Sequence, residues 1–218
     1  MVNASPDSLA DFSVATTPEQ ARSYAQHLLD SGADHIDLGG QASHGGAAIV
    51  TPDEEWAILE GPLRAIAELD VAISVDTWQV ETARRAFDAG ATVLNAAEAL
   101  QDPEMLAFAA DRECDVVLPF MLGPDPRHLK HIEGDPVEVM VSWFEERLAQ
   151  IDSYGIRERC YLTPAPGLLQ RTGSGVIGPS TNARSTPGLT SSAFSICRSM
   201  CRCHGSRRRT AWSCSTWP

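Results

Sequence analysis

The chain has 218 residues, of which 43% are hydrophobic and 21% charged, values that are ordinary for a globular protein. A formal net charge of −12 argues against nucleic acid as a partner, because phosphate binding depends on clustered Lys and Arg side chains. No segment approaches the roughly 18 apolar residues of a membrane span, and Met1–Asp11 lacks the features of a secretory signal. We therefore expect a cytoplasmic protein with no membrane partner.

Helix start signals recur along the first part of the chain. The segments Thr17–Gln20 and Thr51–Glu54 each place Thr at an N-cap, Pro at the first helical position and Gln or Glu three residues after the cap. Three further helices are predicted near 78–89, 103–111 and 136–153. The residues that share the predicted buried face of the second helix are Trp56, Leu59, Leu63 and Ile66.

Short apolar runs between these helices are typical of buried strands. They cover residues 35–38, 71–75, 92–94 and 115–118, and they lack a clean polar alternation, as expected when both faces of a sheet are covered. Strands that alternate with helices predict a parallel sheet, either doubly wound or closed into an eight-stranded barrel. No G-x-G-x-x-G motif follows the first strand, which disfavours a dinucleotide-binding fold.

Short polar side chains stand where the predicted strands end. These residues are Asn3, Asp37, Asp76 and Asn95. One such residue is usually a turn former, but four on successive strands are better explained by a shared site. In a barrel the carboxyl ends of all strands face the same way, so the four side chains are expected to converge on one pocket.

Four segments of the chain resemble motifs of one family. Residues 3–8 (N-A-S-P-D-S) and 32–40 (G-A-D-H-I-D-L-G-G) resemble N-x-[ST]-P-D-S and G-A-D-x-I-D-[IV]-G-G. Residues 74–77 (S-V-D-T) and 90–95 (G-A-T-V-L-N) resemble S-V-D-T and G-A-x-x-I-N. Over residues 1 to about 162 the chain therefore resembles dihydropteroate synthase and its pterin-binding relatives. The resemblance implies an α/β fold of the (β/α)8 TIM-barrel type, here incomplete, with about the first five β/α units.

The resemblance also implies a reaction. Enzymes of the family condense 6-hydroxymethyl-7,8-dihydropterin diphosphate with p-aminobenzoate in folate biosynthesis. By resemblance, Asp76, Asn95 and Asp37 would bind the pterin, and Asn3 would help to hold the diphosphate and its Mg²⁺. Catalysis would then rest on positioning and on stabilising the leaving diphosphate, with no catalytic residue assigned. Synthases of the family are commonly dimers, so the resemblance also implies a homodimer.

The second-substrate loop departs from the family pattern. Where the family usually has E-S-T-R-P-G, residues 41–46 read Q-A-S-H-G-G, so that Ser43 and His44 replace the Thr and Arg expected near p-aminobenzoate. This difference leaves open a non-catalytic or regulatory pterin-binding paralogue. A methyltetrahydrofolate-dependent methyltransferase, which shares the barrel, is a further alternative.

The composition changes abruptly after Leu162. Residues 1–162 carry all 29 acidic side chains and a net charge of −19, whereas the remainder carries seven basic side chains and none that is acidic. The residues that could form a metal site in this tail are Cys197, Cys201, Cys203 and His204. Their spacing lacks a C-x-x-C pair and disfavours zinc. A disordered basic tail is a second interpretation.

A shifted reading frame is the third interpretation of the tail. With plausible GC-rich codons for residues 163–170, one supplied base regroups them to D-P-G-T-G-F-A-P, which contains the family's D-P-G-x-G-F motif. A weaker match follows from the same shift over residues 193–206. We therefore predict a partial pterin-binding barrel over 1–162 and an irregular, out-of-frame or disordered tail over 163–218. The activity would then belong to the in-frame parent, and this chain would be inactive as a synthase.

Overall fold

Strands and helices alternate in the computed structural model, which describes residues 1–8, 11–42, 48–126 and 128–164. The strands are β1 (Val2–Asn3), β2 (His35–Gly39), β3 (Ala72–Thr77), β4 (Val93–Ala96), β5 (Asp115–Pro119) and β6 (Cys160–Thr163). The helices are α1 (Pro18–Asp30), α2 (Pro52–Ala67), α3 (Val80–Asp88), α4 (Pro103–Asp111) and α5 (Pro136–Asp152). No helix in these ranges is both long and apolar enough to cross a bilayer.

The strands form one parallel sheet in chain order, from β1 to β6. Each strand pairs with the next one along the chain, and a helix connects each of the five pairs. Over the described residues this is the order of a TIM-type barrel, with five β/α units and a sixth strand. The predicted incomplete barrel is therefore confirmed. Strand β6 includes Thr163, one residue past the predicted break, and the rest of the predicted tail from residue 165 lies outside the described residues.

The helices begin where their caps predict. The Thr17 and Thr51 side chains accept hydrogen bonds from the backbone N–H groups of Gln20 and Glu54, whose side chains bind back to the cap residues. Asp102 caps α4, and the helix begins with Pro103. Gly90 follows the C-cap of α3 with a φ of +118°, a left-handed conformation that favours glycine. These local signals fix the helix starts before any tertiary contact is made.

The two faces of the sheet are buried to different extents. Alternate strand residues point outward and lie completely buried against the helices. They are Ile36, Leu38, Ile73, Val75, Leu94, Val116 and Leu118. The opposite face, which lines the interior of the barrel, keeps side chains such as Asp37, Asp76 and Asn95 only half-buried. Polar groups on this face are therefore accessible to a ligand.

Three predicted boundaries or faces change in the structure. Strand β2 continues past Leu38 to Gly39, so Asp37 lies inside the strand and not at its end. Helix α3 begins at Val80 because the backbone N–H of Gln79 donates to the Thr77 hydroxyl at 3.1 Å and holds the preceding loop in a turn. On α2 Leu59, Leu63 and Ile66 are buried as predicted, but Glu55 is buried with them, whereas Trp56 is only half-buried.

Candidate active site at the carboxyl ends of the strands

The pairing of four neighbouring strands places three of the predicted site residues in one row. Asn3 pairs with Gly39, Gly39 with Asp76, and Asp76 with Asn95. Because the strands are parallel, this row lies at their common carboxyl end, where a barrel carries its active site. The structure thus brings together the polar groups of β1, β3 and β4, with a glycine from β2 between two of them.

Asp37 lies one layer deeper than the row. It pairs with Ser74, two residues before Asp76, which corrects the expectation that Asp37 ends its strand. The Ser74 hydroxyl donates to Asp37 Oδ1, and the Asn95 amide donates to both Asp37 oxygens at 3.2 and 3.3 Å. Asp37 therefore supports Asn95 from beneath, across the interior of the barrel.

These hydrogen bonds orient the two amide side chains of the row. The Nδ2 group of Asn95 is bound to Asp37, which leaves its Oδ1 atom as an acceptor. The Nδ2 group of Asn3 donates to the Ser13 hydroxyl at 2.6 Å, while its Oδ1 atom faces the space above Gly39. Both asparagines thus have an oxygen available for a donor or a hard cation.

Asp76 is held in an unfavourable environment for its charge. Burial raises the pKa of its carboxyl group well above the ordinary range, and the negative charges of Asp37 and Glu55 raise it further. No Lys or Arg side chain forms an ion pair with Asp37 or Asp76 in the part of the chain that the structure describes. A ligand that donates N–H groups would relieve this environment.

Gly39 keeps open the centre of the row. A Cβ atom at this position would lie 3.7 Å from Asp76 Oδ2 and 3.8 Å from Asn3 Oδ1. Those distances are ordinary van der Waals contacts, so a methyl group would fit sterically but would fill the space between the two side chains. The next residue, Gly40, is required for packing, because its Cβ would lie 2.6 Å from Leu59 Cγ.

A buried carboxylate that sequence reasoning missed lies on the other side of β3. Glu55 of α2 has no exposed surface, and its Oε2 atom accepts from the Thr77 hydroxyl and the Gln79 amide, each at 2.9 Å. Its position offers a sequence signal, since Glu55 precedes the buried Leu59, Pro62 and Ile66 by four, seven and eleven residues. Helical periodicity therefore places it on the buried face, next to the end of β3.

Ser43 and His44, the predicted second-substrate loop, lie outside the described residues. In the described ranges no group of three His, Cys, Asp or Glu side chains could hold a metal ion. The thiols of Cys114 and Cys160 are free, and burial raises their pKa to about 11 and about 12, which is typical of inert cysteines and not of nucleophiles.

Comparison with known proteins agrees with this geometry. A family model described as "Pterin binding enzyme" matches residues 1–171. The chain is 32% identical over 169 residues to a probable bifunctional folylpolyglutamate synthase/dihydropteroate synthase of Haloferax volcanii, a match that covers 77% of this chain and 20% of that protein.

Two solved structures show the same fold. A dihydropteroate synthase of Xanthomonas albilineans with 4-aminobenzoic acid is similar with a TM-score of 0.65 and 32% identity, covering 75% of this chain and 59% of that one. A dihydropteroate synthase of Anaplasma phagocytophilum with bound 6-hydroxymethylpterin-monophosphate is similar with a TM-score of 0.60 and 29% identity. The match covers 67% of this chain and 61% of that one. The chain thus spans about a fifth of its archaeal relative and about three fifths of each solved chain.

Proposed function

The chain belongs to the family of pterin-binding enzymes, and we propose that Asp76 and Asn95 bind the ring of a 6-hydroxymethyl-7,8-dihydropterin diphosphate. In this proposal Asp37 fixes Asn95 from beneath, and Asn3 lies toward the diphosphate. The protein with its reading frame restored would transfer the pterin to p-aminobenzoate.

The observation that carries the proposal is the row of acceptors at the strand ends. Asp76 offers a carboxylate, and Asn95 offers an amide oxygen because its N–H groups are bound to Asp37. A pterin presents N–H donors at its 2-amino group and at N3, spaced for a carboxylate that accepts two hydrogen bonds. Binding of these donors offsets the desolvation of Asp76, so affinity is expected to increase as pH rises through the pKa of Asp76.

The proposed reaction needs no protein nucleophile. The amine nitrogen of p-aminobenzoate attacks the methylene carbon on the pterin, the bond from that carbon to the diphosphate oxygen breaks, and the amine loses a proton. Residues of the site contribute by holding the ring and by excluding water from the methylene group. The Xanthomonas and Anaplasma enzymes, whose solved structures hold 4-aminobenzoic acid and a hydroxymethylpterin phosphate, support both substrates.

The donor set fits Mg²⁺ as a cofactor that binds together with the substrate. Mg²⁺ in proteins usually takes one or two protein oxygens, with phosphate oxygens and water completing its shell. Asn3 Oδ1 is such an oxygen, because Ser13 occupies the amide nitrogen and leaves the oxygen toward Gly39. When bound, Mg²⁺ would neutralise charge on the diphosphate.

A non-catalytic pterin-binding protein is the second candidate function. The observation that favours it is the absence of any Lys or Arg from strands β1 to β6, so the described sheet supplies acceptors for the ring but no cation for a leaving diphosphate. A homodimer and a cytoplasmic location remain predictions under either function.

Calorimetry with the frame-restored protein distinguishes the two functions. The dihydropterin diphosphate is titrated with and without p-aminobenzoate, and diphosphate release is measured in parallel. The synthase proposal predicts pterin binding and diphosphate release that depends on p-aminobenzoate. Tight pterin binding without release would favour the non-catalytic function, and the absence of pterin binding would contradict both.

A further inference from the structure

We propose that Glu55 is a positioning residue for the pterin site, because its buried carboxylate joins α2 to the carboxyl end of β3 directly behind Asp76. On one side of β3 Asp76 would face the ligand, and on the other side Thr77 is hydrogen-bonded to Glu55 of α2. This inference rests on the proposed function for the identity of the ligand. The hydrogen bonds of Glu55 to Thr77 and Gln79 do not depend on it.

The link consists of hydrogen bonds to consecutive parts of one loop. The Thr77 hydroxyl donates to Glu55 at 2.9 Å and accepts from the backbone N–H of Gln79 at 3.1 Å. The Gln79 amide donates to Glu55 at 2.9 Å and to the Val50 carbonyl at 3.4 Å. Glu55 therefore ties together the end of β3, the start of α3 and the end of the loop that follows β2.

Glu55 also brings an ionisable group into this region. Burial raises the pKa of its carboxyl group, and the nearby Thr82 hydroxyl together with the hydrogen bonds from Thr77 and Gln79 opposes that effect. Thr82 lies near enough to contribute, although its hydroxyl and Glu55 Oε1 fall short of hydrogen-bond geometry in the described chain. The position in the first turn of α2, where the helix dipole favours a negative charge, further supports an ionised Glu55.

A purely apolar residue could fill this position if packing were its only role. The fully buried side chains on the same face of α2 are apolar, and burying a charge costs free energy unless the charge is bound. Glu55 instead repels Asp76, and Asp37 of β2 acts on Asp76 in the same way. The negative charge of Glu55 thus makes ionisation of Asp76 less favourable, and a bound N–H donor would offset this cost.

The first test needs no ligand. In the full chain labelled with carboxyl ¹³C aspartate, NMR titration gives the pKa of Asp76 in the wild type and in Glu55→Gln, which keeps an acceptor for Thr77 but removes the charge. We expect the pKa of Asp76 to fall in the variant, because the negative charge of Glu55 that raises it has been removed. The matched control is Glu60→Gln, the same change on the exposed side of α2, which should leave Asp76 unchanged. An unchanged pKa of Asp76 in Glu55→Gln would overturn the electrostatic part of the proposal, that the Glu55 charge acts on Asp76.

The second test measures binding of the dihydropterin diphosphate to the same chains across pH. Glu55→Gln is expected to keep the wild-type affinity at high pH. The loss of affinity on acidification is expected to begin at a lower pH than in the wild type. Glu55→Ala, which loses the hydrogen bonds as well as the charge, should bind about tenfold more weakly than Glu55→Gln at every pH, as expected for a lost hydrogen bond that orders the site. Equal affinities for Glu55→Ala and Glu55→Gln would overturn the positioning role. If the wild type binds no pterin, the proposed function fails, while the NMR titration still decides whether Glu55 acts on Asp76.

Discussion

Glu98, in the loop after β4, is expected to make the stability of the protein depend strongly on pH. Its side chain is 3% exposed, and neither carboxylate oxygen has a hydrogen-bond partner in the described residues. Burial raises its pKa from 4.5 to about 7, against smaller opposing effects of the nearby backbone N–H groups and the Arg147 charge. Asp102 adds a further unfavourable charge.

The magnitude follows from this pKa. One pKa unit is about 1.4 kcal/mol, so the difference between 4.5 and about 7 corresponds to about 3 kcal/mol. Below pH 4.5 the group is protonated in both folded and unfolded chains and has no effect. As pH rises toward about 7 the unfolded chain loses the proton first, and stability falls by about 1.4 kcal/mol per pH unit. Above that pH the full cost of ionising Glu98 is present.

Urea unfolding of Glu98→Gln measures this cost. The variant cannot titrate, so its free energy of unfolding minus that of the wild type should increase between about pH 4.5 and about 7 by about 3 kcal/mol and then level off. Glu145→Gln, the same change at an exposed position of α5, is the control and should show no such rise. A constant difference across pH would refute the account of Glu98 as a buried, unbound carboxylate.

The remaining predictions concern the site and the thiols. Asp76→Asn should stabilise the chain at neutral pH and not below about pH 4, where Asp76 is protonated in both folded and unfolded chains; urea unfolding at both pH values checks this. Gly39→Ala should keep the fold, measured by circular dichroism, but weaken pterin binding about tenfold or more, because its methyl group would enter the space beside Asp76 and Asn3. Cys114 and Cys160 should resist alkylation at about pH 8 until the chain unfolds, as mapped by mass spectrometry of the peptides.

Much of the fold could be predicted because its signals are local. The capping boxes, in which Thr17 and Thr51 exchange hydrogen bonds with the residue three positions later, each satisfy backbone N–H groups within one turn. The sequence alone therefore specifies where α1 and α2 begin. The polar residues Asn3, Asp76 and Asn95 could also be assigned to one edge, because parallel strands share a direction. These inferences need no knowledge of pairing between distant residues.

The depth of Asp37 and the role of Glu55 could not be predicted in the same way. Asp37 lies below the row because the residue of β2 that pairs with Asp76 is Gly39, two positions further along. This register is set by the pairing of two strands and cannot be deduced from the sequence of β2 alone. Glu55 follows Asp53 and Glu54, so it resembles another acidic residue of an exposed first turn. Helical spacing from Leu59 indicates that Glu55 lies on the buried face of α2, but only the contact between α2 and the end of β3 shows which groups it binds.

Titration of the dihydropterin diphosphate into the full chain and into Asp76→Asn is the most direct measurement of the central claim. The account predicts binding by the wild type that strengthens as pH rises, and an affinity at least about tenfold lower for the variant, since hydrogen bonds to a charged group contribute about 1.5–3 kcal/mol. Equal affinities of the two proteins, or wild-type binding that does not change with pH, would contradict the assignment of Asp76 to the pterin.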